Sequence, residues 1–342
     1  MNGLRERLAR KEKVVVAEGY IFELERRGYL QAGPFVPEIV IEKPHLVKNI
    51  YEEFVHAGSD VVLAFTYYGH RAKLRLIGKE DILEPLNRKA LKLARQVADE
   101  TGTLMAGNIC NTTIFEPTPA SEKECMEMFK EQVCWAVEEG ADFIVAETFN
   151  DTREALLSLK VIKDFGNGLP AVITMNVSSD GRMADGLDVA DAMAALEDAG
   201  ADVVGLNCGH GPETILPHMR KIRARCKGPL ACLPVPYRTH EKEPTMFQLK
   251  DPSDGTRSFP AQLEMWLSAR KHVRKFTEEM VDLGVDYIGL CCGARAIFIR
   301  EMAETLGRRP PSSRFTTDMS KHMSVVGGGT SKEQAKLVGM YD

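Results

Sequence analysis

Two adjacent cysteines followed at once by a glycine, Cys291-Cys292-Gly293, are the feature of this sequence with the most chemistry in it. A glycine lets the backbone turn tightly enough for both sulfurs to face one point. A third cysteine, Cys208, ends the apolar run VVGLN and precedes Gly209. Three thiolates hold zinc at about 2.3 Å in tetrahedral geometry and leave a fourth position for substrate. If that substrate is a thiol, coordination removes its proton, and a thiolate nucleophile exists at neutral pH. A lone cysteine in an apolar strand is ordinarily a small buried hydrophobe, which is the reading for Cys110, Cys125, Cys134, Cys226 and Cys232. Cys208 is distant from the pair along the chain, so a shared metal requires a fold that gathers remote segments.

Such a fold is indicated by a repeat. Ala57-Gly58-Ser59-Asp60 runs into VVLAFT, Gly140-Ala141-Asp142 into FIVAET, Gly200-Ala201-Asp202 into VVGLN, and Gly284-Val285-Asp286 into YIGLCCG. A left-handed glycine closes a helix, and a short unbroken apolar run fits a strand buried on both faces. Further candidate strands are VVVAEG at 14–19, TLMAGNI at 103–109, AVITMN at 171–176 and PLACLP at 229–234, which brings the count to eight. Apolar spacings of three and four predict helices over 44–57, 84–101, 121–139, 152–164, 188–199, 212–224 and 270–283. Buried parallel strands alternating with helices predict an α/β fold, a single-domain (β/α)8 TIM barrel over residues 1–307. A long connection, 235–268, follows strand 7, and residues 308–342 form a polar C-terminal tail. The competing open sheet is disfavoured because no Gly-x-Gly-x-x-Gly follows a strand.

Barrel enzymes place their chemistry at the C-terminal strand ends. Here those ends carry Glu18, Thr66, Tyr67, Tyr68, Asn108, Glu147, Asn176, Asn207, Cys208, Pro234, Cys291 and Cys292, so the three thiols are expected on one rim. His70, His210 and His240 fall in loops on the same face and are assigned no role, since three sulfurs already supply a metal. Net charge is −5 and the pI about 6.0, which leaves no cationic surplus for nucleic acid or a membrane surface. The apolar runs are too short to span a bilayer, and the start MNGLRERLARKEK lacks the apolar segment of a signal peptide, so a cytoplasmic enzyme is expected. Eight cysteines in 342 residues are too dilute for a disulfide scaffold.

The stretches GLNCGHGPETI and GVDYIGLCCGARAIFIREMAETL resemble the two zinc-binding segments of the homocysteine S-methyltransferase family. The likeness continues through FELERRGYLQAGPFVPE, HAGSDVVLAFTYYGHRAKL and FIVAETFNDTREA, covers about residues 3–307, and is greatest for the betaine–homocysteine branch. The resemblance implies Cys208, Cys291 and Cys292 as zinc ligands, with homocysteine sulfur in the fourth position. It implies that Glu147 holds the homocysteine ammonium and that Glu18-Gly19, standing where the family usually has Asp-Gly, shares that pocket. Asn207, next to a ligand, joins the homocysteine site. The methyl donor implied is an onium compound, and aromatic faces attract such cations. Tyr68 matches the tyrosine at the donor methyls, with Tyr67 beside it. Phe35 stands where betaine enzymes have tryptophan, and Thr148 where they tend to have tyrosine. Both changes open the donor to sulfonium compounds, such as a dimethyl thetin, dimethylsulfoniopropionate or S-methylmethionine, beside glycine betaine.

The reaction implied is transfer of a methyl group from the onium donor to homocysteine, giving methionine. The 235–268 segment and the Phe35 loop are candidate lids, and a homo-oligomer is expected. Two alternatives stay open. A hydrolytic zinc barrel is one, although three thiolates acidify bound water less than histidine and carboxylate ligands do. The other is a structural or redox three-cysteine site completed by His210.

Overall fold

The computed structural model describes residues 3–318. Among them eight parallel strands close into a barrel in chain order: β1 Val14–Ala17, β2 Val61–Leu63, β3 Leu104–Cys110, β4 Phe143–Phe149, β5 Ala171–Met175, β6 Val203–Asn207, β7 Leu230–Leu233 and β8 Tyr287–Leu290. Closure runs through four β1–β8 pairs, from Val14↔Tyr287 to Ala17↔Leu290. Every strand residue is buried, as expected for apolar runs without alternation. The barrel is the predicted (β/α)8 fold.

The helices among the described residues are α1 Leu4–Ala9, α2 Tyr20–Arg26, α3 Ile39–Glu42, α4 Pro44–Ala57, α5 Arg71–Leu76, α6 Leu83–Thr101, α7 Pro119–Glu138, α8 Thr152–Phe165, α9 Val189–Asp198, α10 Pro212–Arg225, α11 Arg270–Asp282 and α12 Ala296–Thr305. The seven predicted helices are α4 and α6 to α11, each shifted by no more than two residues at either end. β1 and β2 are shorter than their apolar runs, because Glu18-Gly19 and Ala64–Thr66 already belong to loops over the barrel mouth. Three other assignments need correction. Cys125 and Cys134 lie on α7, and Cys226 follows α10, so only Cys110 and Cys232 occupy strands. Cys134 is half-buried, not buried.

The Gly-x-Asp repeat has two functions. Gly58, Gly140, Gly200 and Gly284 all take positive φ, between 75° and 114°, and end the preceding helix. The aspartate side chains after the first three then tie their strands to the ones before. Asp60 accepts from the Val15 N–H at 2.7 Å, Asp142 from Met105 at 2.7 Å and Asp202 from Ala171 at 2.9 Å. Each aspartate also meets a cation: Arg7 and Arg308 at Asp60, Arg95 at Asp142, Arg5 at Asp202 and Lys13 at Asp286. Buried strand-end amides that would otherwise lack acceptors are satisfied in this way at the N-terminal end of the barrel.

The predicted tail begins within the packed structure. Arg308 reaches Asp60, and a single turn at Pro311–Phe315 is fastened by the Ser313 hydroxyl, which donates to Glu304 at 2.7 Å. The rest of the tail, from 319, lies outside the described residues. Among those residues no helix is long and apolar enough to cross a membrane.

Candidate active site

At the C-terminal end of the barrel the loops bring together the sulfurs of Cys208, Cys291 and Cys292. Cys208 Sγ lies 3.7 Å from Cys292 Sγ, and Cys291 Sγ lies 3.9 Å from Cys292 Sγ. Two sulfurs bound tetrahedrally to one zinc at about 2.3 Å stand about 3.8 Å apart, so these separations suit a shared ion. Hydrogen bonding with Cys291, and then with Cys292, holds the Cys208 thiol well below its usual range, and the other two are held well above theirs. His210 is not part of this cluster. It is buried against His218, with ring centroids 5.0 Å apart, and burial lowers its pKa to about 4.

The backbone is strained where it aims these groups. Phe35, Tyr68, Thr148 and Cys208 all take positive φ, between 52° and 63°, a conformation that side chains with a Cβ adopt at a cost. At Thr148 this accompanies a register shift between Ala146 and Phe149 in the β4–β5 pairing, which re-aims Glu147 and Thr148. Gly19, at φ +77°, answers a different demand. A Cβ there would lie 2.6 Å from the Cys291 carbonyl carbon, so only glycine lets the end of β1 approach the cysteine turn.

Glu18 and Glu147 come together beside Cys291, with ligand atoms of all three within 4.8 Å of one another. Glu147 is well partnered: Asn108 Nδ2 donates to it at 2.7 Å, Asn207 Nδ2 at 3.0 Å and the Thr148 hydroxyl at 3.2 Å. Glu18 is fully buried, and neither of its oxygens has a hydrogen-bond partner. Burial, then the neighbouring Glu147 charge, raises the Glu18 pKa well above the carboxylate range. Glu147 is also raised by burial, although the Asn108 hydrogen bond pulls it back. Two buried carboxyls with unused acceptor capacity suit a compact cation with several N–H donors, namely an ammonium group. Asn207 connects the two halves of the site, since its Nδ2 reaches Glu147, the Thr148 hydroxyl at 2.7 Å and Cys291 Sγ at 3.7 Å.

The sulfurs border two spaces. One is a small cavity lined by Gly19, Tyr20, Tyr67, Asn108, Glu147 and the cysteine pair. The other is a cleft of about 340 Å³ with Cys208 and Cys292 at its base. Its walls carry the predicted Phe35, Tyr67 and Tyr68. Three aromatics that sequence reasoning missed, Phe22, Phe247 and Phe259, line it as well. Phe22 packs on Phe35 at 5.7 Å and Phe247 on Phe259 at 4.8 Å. Phe247 and Phe259 come from the segment after β7, where no periodicity points to them; the available signal was aromatic residues within an otherwise polar, proline-containing stretch. Tyr68 is not a bare cage wall, because the Lys73 ammonium lies 4.0 Å from its ring centroid. His70 sits edge-on to Tyr68 at 6.0 Å, and His240 is half-exposed beside Glu243.

Fold and site together define a (β/α)8 barrel with a three-thiol centre on its C-terminal rim. Residues 15–306 match the family model described as homocysteine S-methyltransferase, and the chain belongs to that family. The chain is 34% identical to betaine–homocysteine S-methyltransferase 1 of Mus musculus over 324 residues, covering 91% of this chain and 77% of that protein. It is 33% identical to the S-methylmethionine–homocysteine S-methyltransferase of Pongo abelii over 320 residues, covering 91% and 84%. The metallated form of the homocysteine methyltransferase MmuM from Escherichia coli shares the fold, with a TM-score of 0.70 at 17% identity over 89% of this chain and 99% of that one.

Proposed function

We propose that this protein is a zinc-dependent methyltransferase that moves a methyl group from an onium donor to homocysteine, giving methionine and the demethylated donor. The observation that carries the reading is three thiols at tetrahedral spacing that border both a carboxylate-lined cavity and an aromatic cleft. Cys208, Cys291 and Cys292 would hold the ion. When bound, zinc keeps the homocysteine sulfur deprotonated at neutral pH.

The chain's other residues position the two substrates. Glu18 and Glu147 receive the homocysteine ammonium, which compensates their buried charge. Asn207 fixes Glu147 relative to Cys291 and so sets the distance between ammonium and sulfur. Gly19 lets the end of β1 close directly against the cysteine turn and lines the cavity beside it. Phe35, Tyr67 and Tyr68, with Phe22, Phe247 and Phe259, present ring faces and edges to the onium group. The homocysteine sulfur then supplies the electron pair for a new bond to the methyl carbon. The bond from that carbon to nitrogen or sulfur breaks, and its electrons leave with the neutralised donor. Opposite charges disappear in this step, and a water-poor cleft favours it.

The relatives at about one-third identity divide between betaine and S-methylmethionine as donor. Phe35 and Thr148 place a sulfonium beside a quaternary ammonium as candidate for this chain. The test is methionine formation from homocysteine with glycine betaine, a dimethyl thetin, dimethylsulfoniopropionate and S-methylmethionine, each assayed with zinc-loaded and chelator-stripped protein. Methionine from at least one donor, lost on stripping and restored by zinc, is the expected result. Zinc-loaded protein that forms none from any of the four would overturn the reading.

A further inference from the structure

Arg26, in the last turn of α2, has a side chain only 15% exposed. Its Nε donates to Glu264 at 2.5 Å and its Nη2 donates to the Tyr237 hydroxyl at 2.6 Å. The guanidinium also lies 6.0 Å from the ring centroid of Phe22 and 5.9 Å from that of Tyr237, while its Nη1 is buried without a protein partner. Tyr237 is fully buried, and its hydroxyl occupies the space where a Cβ on Gly293 would stand, directly after Cys292. The hydroxyl accepts from Arg26 and keeps its own proton to donate.

We infer that Arg26 and Tyr237 form a positioning pair behind the cysteine turn, in which the guanidinium holds the Tyr237 hydroxyl against Gly293 and so fixes the turn that carries Cys291 and Cys292. The inference rests on the zinc reading above. Groups behind the ligands orient them and fix the geometry of such a centre. The side chains at Arg26 and Tyr237 are neither metal ligands nor part of the substrate walls described above. The Tyr237 pKa is raised chiefly by burial, with Arg26 lowering it and Cys292 raising it, in line with its place between the two.

The competing role is structural, with Arg26 simply latching the segment after β7 through Glu264. Tyr237→Phe and Arg26→Met are compared with wild type in zinc affinity by chelator competition, in the sulfur-to-metal charge-transfer band of the cobalt-substituted protein, and in melting temperature of the zinc-free protein. Zinc affinity is expected to fall roughly 10- to 100-fold in both. The cobalt band is expected to move, the zinc-free melting temperature of Tyr237→Phe to stay as in wild type, and Arg26→Lys to recover part of the affinity. Wild-type affinity and an unmoved band in Tyr237→Phe would overturn the inference. So would an affinity loss accompanied by an equal loss of zinc-free stability. If wild type itself bound no stoichiometric zinc, the zinc reading would fail instead.

Discussion

The two ends of this barrel treat buried polar groups in opposite ways. At the N-terminal end each repeat aspartate is paired with a cation, and Asp60, Asp142 and Asp202 also accept from a strand amide. At the C-terminal end Glu18 has no hydrogen-bond partner, three thiols crowd together, and Phe35, Tyr68, Thr113, Thr148 and Cys208 sit on left-handed backbone. The first pattern is what stability demands of polar groups taken out of water. The second stores unmet interactions that a ligand can satisfy. A polar residue at the closed end is therefore expected to cost stability when removed, and one at the open end to cost function.

The largest separation should come from the thiols. Cys208→Ala and Cys291→Ala are each expected to lose bound zinc and to lower methionine formation by at least about a thousandfold, the scale of removing a group on which the nucleophile depends. The fold should stay intact by circular dichroism. Stoichiometric zinc in either variant would refute the ligand assignment. Glu147→Gln comes next. Leaving a buried ammonium without its counter-charge costs about 2–5 kcal/mol, so KM for homocysteine should rise by at least roughly 30-fold.

The same variant tests the comparison from the other side. Glu18 and Glu147 have raised pKa values in the folded protein, so the folded state holds protons that the unfolded chain releases. Their contribution to stability is present on the acid side of the ordinary carboxylate range and is lost as pH rises through the folded values. Glu147→Gln should thus make the ligand-free protein more stable than wild type near neutral pH, with the difference vanishing toward pH 4. Melting curves across pH would show this, and a variant destabilised at neutral pH would break the contrast between the ends. Asp60→Ala supplies the opposite case. It strands the Val15 amide and frees two arginines, so a loss of about 2 kcal/mol is expected, with KM and kcat unchanged in the surviving folded protein.

The closed end was legible in the sequence because its devices are local and periodic. A glycine that ends a helix, an aspartate two residues on and an apolar run are contiguous, and they recur four times. The three sulfurs were legible because strand ends of one barrel share a rim. The aromatic cleft was only half visible. Phe35 and Tyr68 match family positions given a role; Phe22 opens the same stretch as Phe35 but on a seven-residue helix with no signal of its own, and Phe247 and Phe259 lie on a connection without regular structure. The helices that went unpredicted, α1, α2, α3, α5 and α12, have at most ten residues each, too few turns to establish a period against their neighbours.

The smallest expected effect addresses the open end alone and concerns which cation it prefers. Phe35 packs on Phe22, and both line the cleft at the open end, so exchanging Phe35 should leave the closed end untouched. Tryptophan exceeds phenylalanine as a partner for cations by a fraction of the roughly 0.5–2 kcal/mol that such contacts supply. Phe35→Trp is therefore expected to improve kcat/KM for glycine betaine relative to S-methylmethionine by about two- to fivefold, with zinc content and melting temperature as in wild type. Lys73 bears on the size of this change. Its ammonium already lies over the Tyr68 ring, so Tyr68 has less attraction left for a donor, and a stronger ring at position 35 should count for more. An unchanged donor ratio in Phe35→Trp would remove Phe35 from the donor wall, and the remaining aromatics, Phe247 and Phe259 first, would have to carry the preference.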